Sequence, residues 1–290
     1  MRNAITTAVG LIATLLFVAL AEAKPIAKPV GWGHQDVEFS GYLIYDDYST
    51  ALRPGLIMVP NWMGVNDAAV EKAKAIAGKD YVILLVDVYG KGQRPRDTEQ
   101  AASMAAALYA DRSLLRGRVI AAVEALRAQV RNDAPLDTIA LGAIGFCFGG
   151  SSVLELARAG DEEAKNGTTI AGVVSFHGGL TTTMPAKPGS VRTSVLVLNG
   201  ADDSNVKPED ITAFGAEMRA ANADWQLVNF GGAHHCFAEP DANRPPNCLY
   251  NQPAAERAMR MMRDFFAERF AARGPVMEGR PPGEMLPAAH

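Results

Sequence analysis

The stretch Ile144-Gly145-Phe146-Cys147-Phe148-Gly149-Gly150 decides how this chain is read, because an apolar run ends there in a small-residue turn carrying one reactive side chain. Upstream, Thr138 to Ile144 is short and apolar behind Asp137, as a buried strand should be; downstream, Ser151 to Ala159 places Val153, Leu154 and Ala157 on the inner side of a predicted helix. Strand, tight turn, helix is the setting of a G-x-nucleophile-x-G elbow. The glycines permit a strained turn that lifts the central side chain clear of the sheet and sets it at the helix N-terminus. Here the central residue is Cys147, the candidate nucleophile. The competing reading is a small buried hydrophobe, since unpaired Cys is among the most buried residue types. What separates the two is whether an acid and a histidine follow in suitable order and setting.

Both follow. Beyond the predicted strand Val195 to Leu198 lies Asn199-Gly200-Ala201-Asp202-Asp203-Ser204-Asn205-Val206, an acidic turn in which Asp203 is the candidate acid and Asp202 the alternative after a slip of one residue. Paired aspartates in a loop also serve as turn formers, so position is what favours catalysis. Beyond the predicted strand Trp225 to Phe230 lies Gly231-Gly232-Ala233-His234-His235-Cys236-Phe237, which holds two of the five histidines. His235 is preferred over His234 because it precedes the Cys236-Phe237 pair, in which Phe237 can pack and fix the loop. Nucleophile, acid, histidine is the chain order of α/β-hydrolases.

These residue types suit acyl transfer. An imidazole takes the thiol proton, a carboxylate orients the ring and stabilises its charged form, and the thiolate attacks a carbonyl carbon. A Cys beside His and a helix N-terminus is expected to ionise more readily than a free thiol. The tetrahedral oxyanion needs donors, for which the candidates are the backbone N–H groups of Phe148 and Trp62.

Around this centre the apolar runs Gly55 to Val59, Tyr81 to Val86 and Ile170 to Phe176 read as further buried strands. Helical stretches alternate with them: Asp67 to Ala77, Asp97 to Ala110, Arg112 to Val130, Pro208 to Ala221 and Ala254 to Phe270. Strands apolar on both faces imply a mostly parallel sheet with helices on both faces, a single-domain α/β-hydrolase fold. Asp36 to Tyr45 reads as one or two antiparallel edge strands. The expected divisions are a signal peptide (1–23), a mobile leader (24–36), the hydrolase domain (37–272) and a flexible tail (273–290).

With these motifs in place, the chain resembles the dienelactone hydrolase family of α/β-hydrolases from roughly Val37 to Phe270. The resemblance rests on Pro60-Asn61-Trp62-Met63-Gly64-Val65-Asn66, Asp87-Val88-Tyr89-Gly90-Lys91-Gly92, Gly145 to Gly150, Gly200-Ala201-Asp202-Asp203 and Gly232 to Phe237. It implies a triad of Cys147, Asp203 and His235, and hydrolysis of a carboxylic ester or lactone without a cofactor. Two departures bear on substrate. The family commonly carries Glu in the loop that holds Asn61, where the acid interacts with the resting thiol, and Asn61 cannot accept a proton. The family also places an Arg near the position of Glu239 to hold an acidic substrate, and here the charge is reversed. Asn61, Tyr89, Arg94 and His177 are the candidate substrate-binding residues, with Arg96 beside Arg94 as a further basic residue of a polar loop.

The N-terminus has Arg2, an almost unbroken apolar run from Ala4 to Leu20, and the small-x-small site Ala21-Glu22-Ala23. Together these read as a secretory signal peptide, an uncleaved anchor being the alternative at this length. The expected location is periplasmic or secreted. In an oxidising compartment, three cysteines leave an odd one out; Cys236 and Cys248 share a predicted loop and are expected to pair, leaving Cys147 free, against the alternative of two unpaired thiols. A net charge of −4 provides no electrostatic footprint for nucleic acid, and no basic run marks a membrane patch. No Cys-x-x-Cys pair suggests redox work, and the adjacent His234 and His235 lack metal-ligand spacing, so no metal is expected. The expected partner is a small ester or lactone, with the protein a monomer or homodimer. The rival functions are a thiol-dependent acyl transferase or peptidase on the same fold, and a non-catalytic hydrolase-like binding protein.

Overall fold

Runs such as Leu56-Ile57-Met58-Val59 and Val82-Ile83-Leu84-Leu85 are fully shielded from water, and a strand apolar on both faces must be covered on both. The computed structural model, which describes residues 24–272 apart from 133, 161–164, 166 and 168, shows how. One sheet of eight strands forms the centre: β1 (Pro25–His34), β2 (Val37–Asp46), β3 (Arg53–Val59), β4 (Val82–Leu85), β5 (Leu136–Phe146), β6 (Gly172–Phe176), β7 (Ser194–Gly200) and β8 (Trp225–Phe230). Their spatial order is β1-β2-β4-β3-β5-β6-β7-β8. The first two strands pair antiparallel with each other, β2 pairs antiparallel with β4, and all later pairings are parallel.

Helices α1 (Asp67–Ala77) and the C-terminal α6 (Gln252–Ala271) cover one face, burying Ala73, Ile76, Met262 and Phe266 against Ile83, Phe146 and Val174. On the other face α2 (Thr98–Ala110), α3 (Arg112–Ala128), α4 (Phe148–Arg158) and α5 (Pro208–Ala220) pack Leu108, Leu115, Val123, Leu154 and Phe214 against Ile57, Leu141 and Val197. The helices begin where side chains can satisfy their free N–H groups: Asn66 accepts from Ala69 N, Asp97 from Gln100 N and Asp111 from Leu114 N. The result is a single domain with a mostly parallel sheet between two helical layers. A two-stranded ribbon, β9 (Asn243–Arg244) and β10 (Cys248–Leu249), lies outside the main sheet.

One expectation is corrected here. Residues 24–36 were to be a mobile leader, yet Pro25–His34 pairs along its whole length with β2, from Pro25 opposite Asp46 to His34 opposite Val37. Trp32 stacks on Phe39 with ring centroids 5.8 Å apart, and Lys28 Nζ donates to the Tyr45 hydroxyl at 2.6 Å. The two prolines that suggested a linker are compatible with an outermost strand, where part of the backbone has no partner to satisfy. The edge is therefore β1, and β2 lies one place inside. The expected signal peptide (1–23) and the expected flexible tail (273–290) lie outside the described residues.

The strand order fixes where a ligand site belongs. From β3 the chain moves outward to β4, then returns past β3 to lay down β5 on its other side. Such a reversal leaves a crevice beyond the C-terminal ends of the two strands. The loops that enter it are Pro60–Asn66 after β3 and the elbow at Cys147 after β5.

Candidate active site

Cys147 joins β5 directly to α4 with φ 54° and ψ −116°, a left-handed conformation for a residue with a side chain. Such strain is held only where the surroundings over-determine it. The backbone supplies that constraint, since Cys147 N donates to Phe176 O at 3.0 Å and Ser151 N donates to Cys147 O at 3.1 Å. The flanking glycines are required by close approach: a Cβ on Gly145 would sit 2.0 Å from Gly149 O, and one on Gly149 would sit 2.0 Å from Val59 O. The turn is tight enough that no larger residue fits on either side of the cysteine's neighbours.

Three loops converge on this thiol. His235 Nε2 lies 3.0 Å from Cys147 Sγ, and His235 Nδ1 lies 2.7 Å from Asp203 Oδ2. Asp203 sits beyond β7 with its side chain fully buried, and its Oδ1 accepts from Asn205 N at 2.8 Å. With Oδ2 an acceptor, the His235 proton belongs on Nδ1 in the neutral ring, leaving Nε2 to face the sulfur. Burial works against a charge on His235, but the hydrogen bonds and charges of Asp203 and Cys147 outweigh it and raise the ring to about 10. Of the two aspartates it is Asp203 that meets the histidine. Asp202 is exposed and offers only its backbone oxygen, to His234 Nδ1 at 3.2 Å.

Phe148 follows Cys147 in the chain, and Trp62 borders the same cavity as Cys147. Phe148 is the first residue of α4, where the N–H groups have no intrahelical acceptor. Trp62 lies in a turn closed by Gly64 N donating to Asn61 O at 2.9 Å. Its carbonyl accepts the Tyr89 hydroxyl at 2.8 Å, which fixes the orientation of that backbone. Asn61 Oδ1 accepts from Met63 N at 3.0 Å, so the amide orientation is set and its NH2 faces away from Met63.

Beside the thiol lies a cavity of about 770 Å³, bordered by Cys147, by Asn61, Trp62 and Met63, by one side of α1 and by the segment from Cys236 to Cys248. That segment is closed by a disulfide between its two ends, with Cα atoms 5.0 Å apart, and Cys147 is the free cysteine. Leu249 N donates to His235 O at 3.0 Å and Asn251 N to Phe237 O at 3.1 Å. The bridge and these bonds brace the loop on which His235 stands.

Three of the four candidate substrate-binding residues do not border this cavity. Arg94 has its guanidinium 2.9 Å from the buried Asp87 carboxylate and donates to Ser40 O at 3.1 Å, so it ties a loop to β2 rather than facing substrate. Tyr89 stacks on Phe148 at 5.6 Å and spends its hydroxyl on Trp62. It supports the loop that carries Trp62. His177 is completely buried, has φ 40°, and packs edge-to-face on His235 at 5.2 Å and on Phe237 at 5.4 Å. Burial, with the nearby charges of His235 and Lys72, holds its pKa well below the ordinary histidine range, so its ring is neutral. Only Asn61 of the four borders the cavity.

Sequence reading missed Lys72 and the apolar lining. Lys72, on α1, is ion-paired with Glu239 inside the cavity wall and lies 4.4 Å from the centre of the Phe146 ring. Glu239 is the reversed charge noted in the sequence, and its partner 167 positions away gave no local signal.

A cysteine elbow after β5, a buried aspartate after β7 and a histidine after β8 meet at one point, and comparison with known proteins decides the family. A model of the dienelactone hydrolase family matches residues 39–270. The chain belongs to that family. A Bradyrhizobium relative named as a lactonase of 2-oxo-3-(5-oxofuran-2-ylidene)propanoate is 30% identical over 215 residues, covering 68% of this chain and 79% of the relative. A Yersinia pestis protein named as a carboxymethylenebutenolidase is 25% identical over 256 residues, covering 84% of this chain and 89% of that one. Among solved structures, a dienelactone hydrolase-like promiscuous phosphotriesterase from metagenomic libraries superposes with TM-score 0.75 at 34% identity, covering 84% of this chain and 98% of the other. This member of the dienelactone hydrolase family is therefore a hydrolase by kinship, with its three converging side chains at the sheet's C-terminal edge.

Proposed function

We propose that this hydrolase cleaves a carboxylic ester or lactone through an acyl-thioenzyme on Cys147. The observation that carries the reading is the unbroken line from Asp203 Oδ2 through both nitrogens of His235 to Cys147 Sγ, with contacts of 2.7 and 3.0 Å. His235 takes the thiol proton and Asp203 stabilises the imidazolium that results. The sulfur attacks the carbonyl carbon, and the N–H groups of Phe148 and Trp62 hold the oxyanion. As the tetrahedral species collapses, the C–O bond breaks and His235 returns its proton to the departing alkoxide. A water then gives a proton to His235 and attacks the thioester, the C–S bond breaks, and the carboxylic acid leaves with Cys147 restored.

The raised basicity of His235 suits it to take the thiol proton, and Asn61 stands in place of an acid that would compete for it. Export is part of the proposal: the hydrophobic N-terminal segment and the Cys236–Cys248 bridge suit a periplasmic or secreted enzyme.

The test is burst-phase turnover of a small activated ester by wild type and Cys147→Ala, with intact mass of the quenched sample. A burst carrying an acyl mass on Cys147, absent in the variant, supports the mechanism. Steady turnover that survives Cys147→Ala overturns it. The phosphotriesterase relative, at 34% identity, favours a second substrate class, since a thiolate that attacks carbonyl carbon also attacks a phosphotriester. Release of the aryl leaving group from a dialkyl aryl phosphate, lost in Cys147→Ala, would support it.

A further inference from the structure

The cavity beside Cys147 is larger than a small ester requires. One side of it is α1, which presents Ala68, Ala69, Glu71, Lys72, Ala75 and Ile76 to it. Positions 68 and 76 lie eight residues apart, about 12 Å along a helix axis. Three of these six residues are alanines, and on a helix that borders a cavity small side chains leave width. Lys72 contributes its methylene stem, because its ammonium group is turned to Glu239. Met259 and Arg263 on α6 also border it.

Charge along this wall is answered within the protein. Lys72 pairs with Glu239, Arg263 with Asp80 at 3.1 Å, and Glu71 with Lys74 at 2.8 Å. The two other charged residues that border the cavity, Asp241 and Arg244, are exposed on the outer part of the disulfide-closed segment. The cavity therefore offers a substrate mostly apolar surface, and the charges that face each other across it, Lys72 and Glu239, are paired.

We propose that this cavity is an acyl-chain channel, and that the substrate class is esters whose acyl group carries an extended apolar chain of about eight to ten carbon atoms, given C–C bonds of about 1.5 Å. The inference rests on the acyl-thioenzyme reading for its direction, since the chain bonded to Cys147 Sγ is the acyl chain. Each buried methylene is worth about fourfold in affinity, so chain length is a sensitive readout.

Two measurements test it. The first compares kcat/KM for p-nitrophenyl acetate and octanoate. The second compares labelling of Cys147 by methyl and octyl methanethiosulfonate, read by intact mass; thiolate attack forms a mixed disulfide on Sγ, breaks the reagent's S–S bond and releases sulfinate, with no need of the full triad cycle. The expected result is a preference of at least about tenfold for the octyl reagent and for octanoate. Ala75→Trp on α1 and Met259→Trp on α6 each reduce that long-to-short ratio at least about fivefold. Equal labelling rates for the two reagents, or an unchanged ratio in a folded tryptophan variant, overturn the channel. Chain-length-dependent labelling without hydrolysis of either ester keeps the channel and overturns the hydrolase reading instead.

Discussion

Asp203 Oδ2 lies 2.7 Å from His235 Nδ1, and the aspartate side chain is wholly shielded from solvent while the histidine is 13% exposed. The carboxylate thus acts on one imidazole nitrogen alone, and the other is left to the sulfur. Asp203→Asn keeps the shape but offers an NH2 or an uncharged oxygen to that nitrogen. It is expected to lower kcat by about 10³ to 10⁴, whereas the neighbouring Asp202→Asn leaves steady-state hydrolysis within about twofold. Kinetics on the two variants side by side checks both statements.

The raised histidine has a consequence for stability. His235 is held at about 10 when folded, against an ordinary value of 6.5, so between those values the native protein binds more protons than the unfolded chain. The contribution is fully present below pH 6.5 and is lost as pH rises to about 10, at a slope of up to about 1.4 kcal/mol per pH unit. Urea unfolding of wild type and His235→Gln across that window should show the difference between them shrinking as pH rises. A difference that grows with pH would contradict the assignment.

Removing the Cys236–Cys248 bridge, 12 residues apart in sequence, is expected to cost about 3 kcal/mol through the freed loop. The double variant Cys236→Ser/Cys248→Ser should unfold at lower denaturant and lose activity through His235, whose carbonyl accepts from Leu249 N next to the bridge. Denaturation and kinetics on the same sample separate the two effects.

The Lys72–Glu239 pair is buried, with side chains 14% and 6% exposed. Glu239→Gln leaves the ammonium uncompensated and is expected to destabilise by about 3–5 kcal/mol, while the double change Lys72→Met/Glu239→Leu recovers most of the loss. Chemical denaturation of wild type and the two variants checks it.

Much of this architecture was legible in the sequence because its signals are local. A strand apolar on both faces, a Gly-x-Cys-x-Gly turn and a histidine in a glycine-rich loop each announce themselves within a few residues, and their chain order links them. Helical stretches such as Asp67 to Ala77 were legible for the same reason. Residues 24–36 were misjudged because their prolines suggest a linker, and only the ten-residue pairing with β2 shows otherwise. Tyr89, Arg94 and His177 were substrate-binding candidates, with a structural role open for His177, and none of them borders the cavity. Each spends its polar or aromatic surface on Trp62, Asp87 or His235, contacts that depend on tertiary packing. The cavity had no sequence signal, since alanines at helical spacing read as ordinary core.

Two prolines on one outer strand also bear on what this protein does not recruit. Pro25 and Pro29 lie four residues apart on β1, so both remove a backbone donor, and at the same phase of the pleat. A sheet grows from chain to chain only where a free row of donors and acceptors can template another strand. On the β1 side that row is interrupted, whereas β8 at the opposite margin carries no proline. The sheet has one blunted border and one continuous border, and any association that lengthens it would begin at β8.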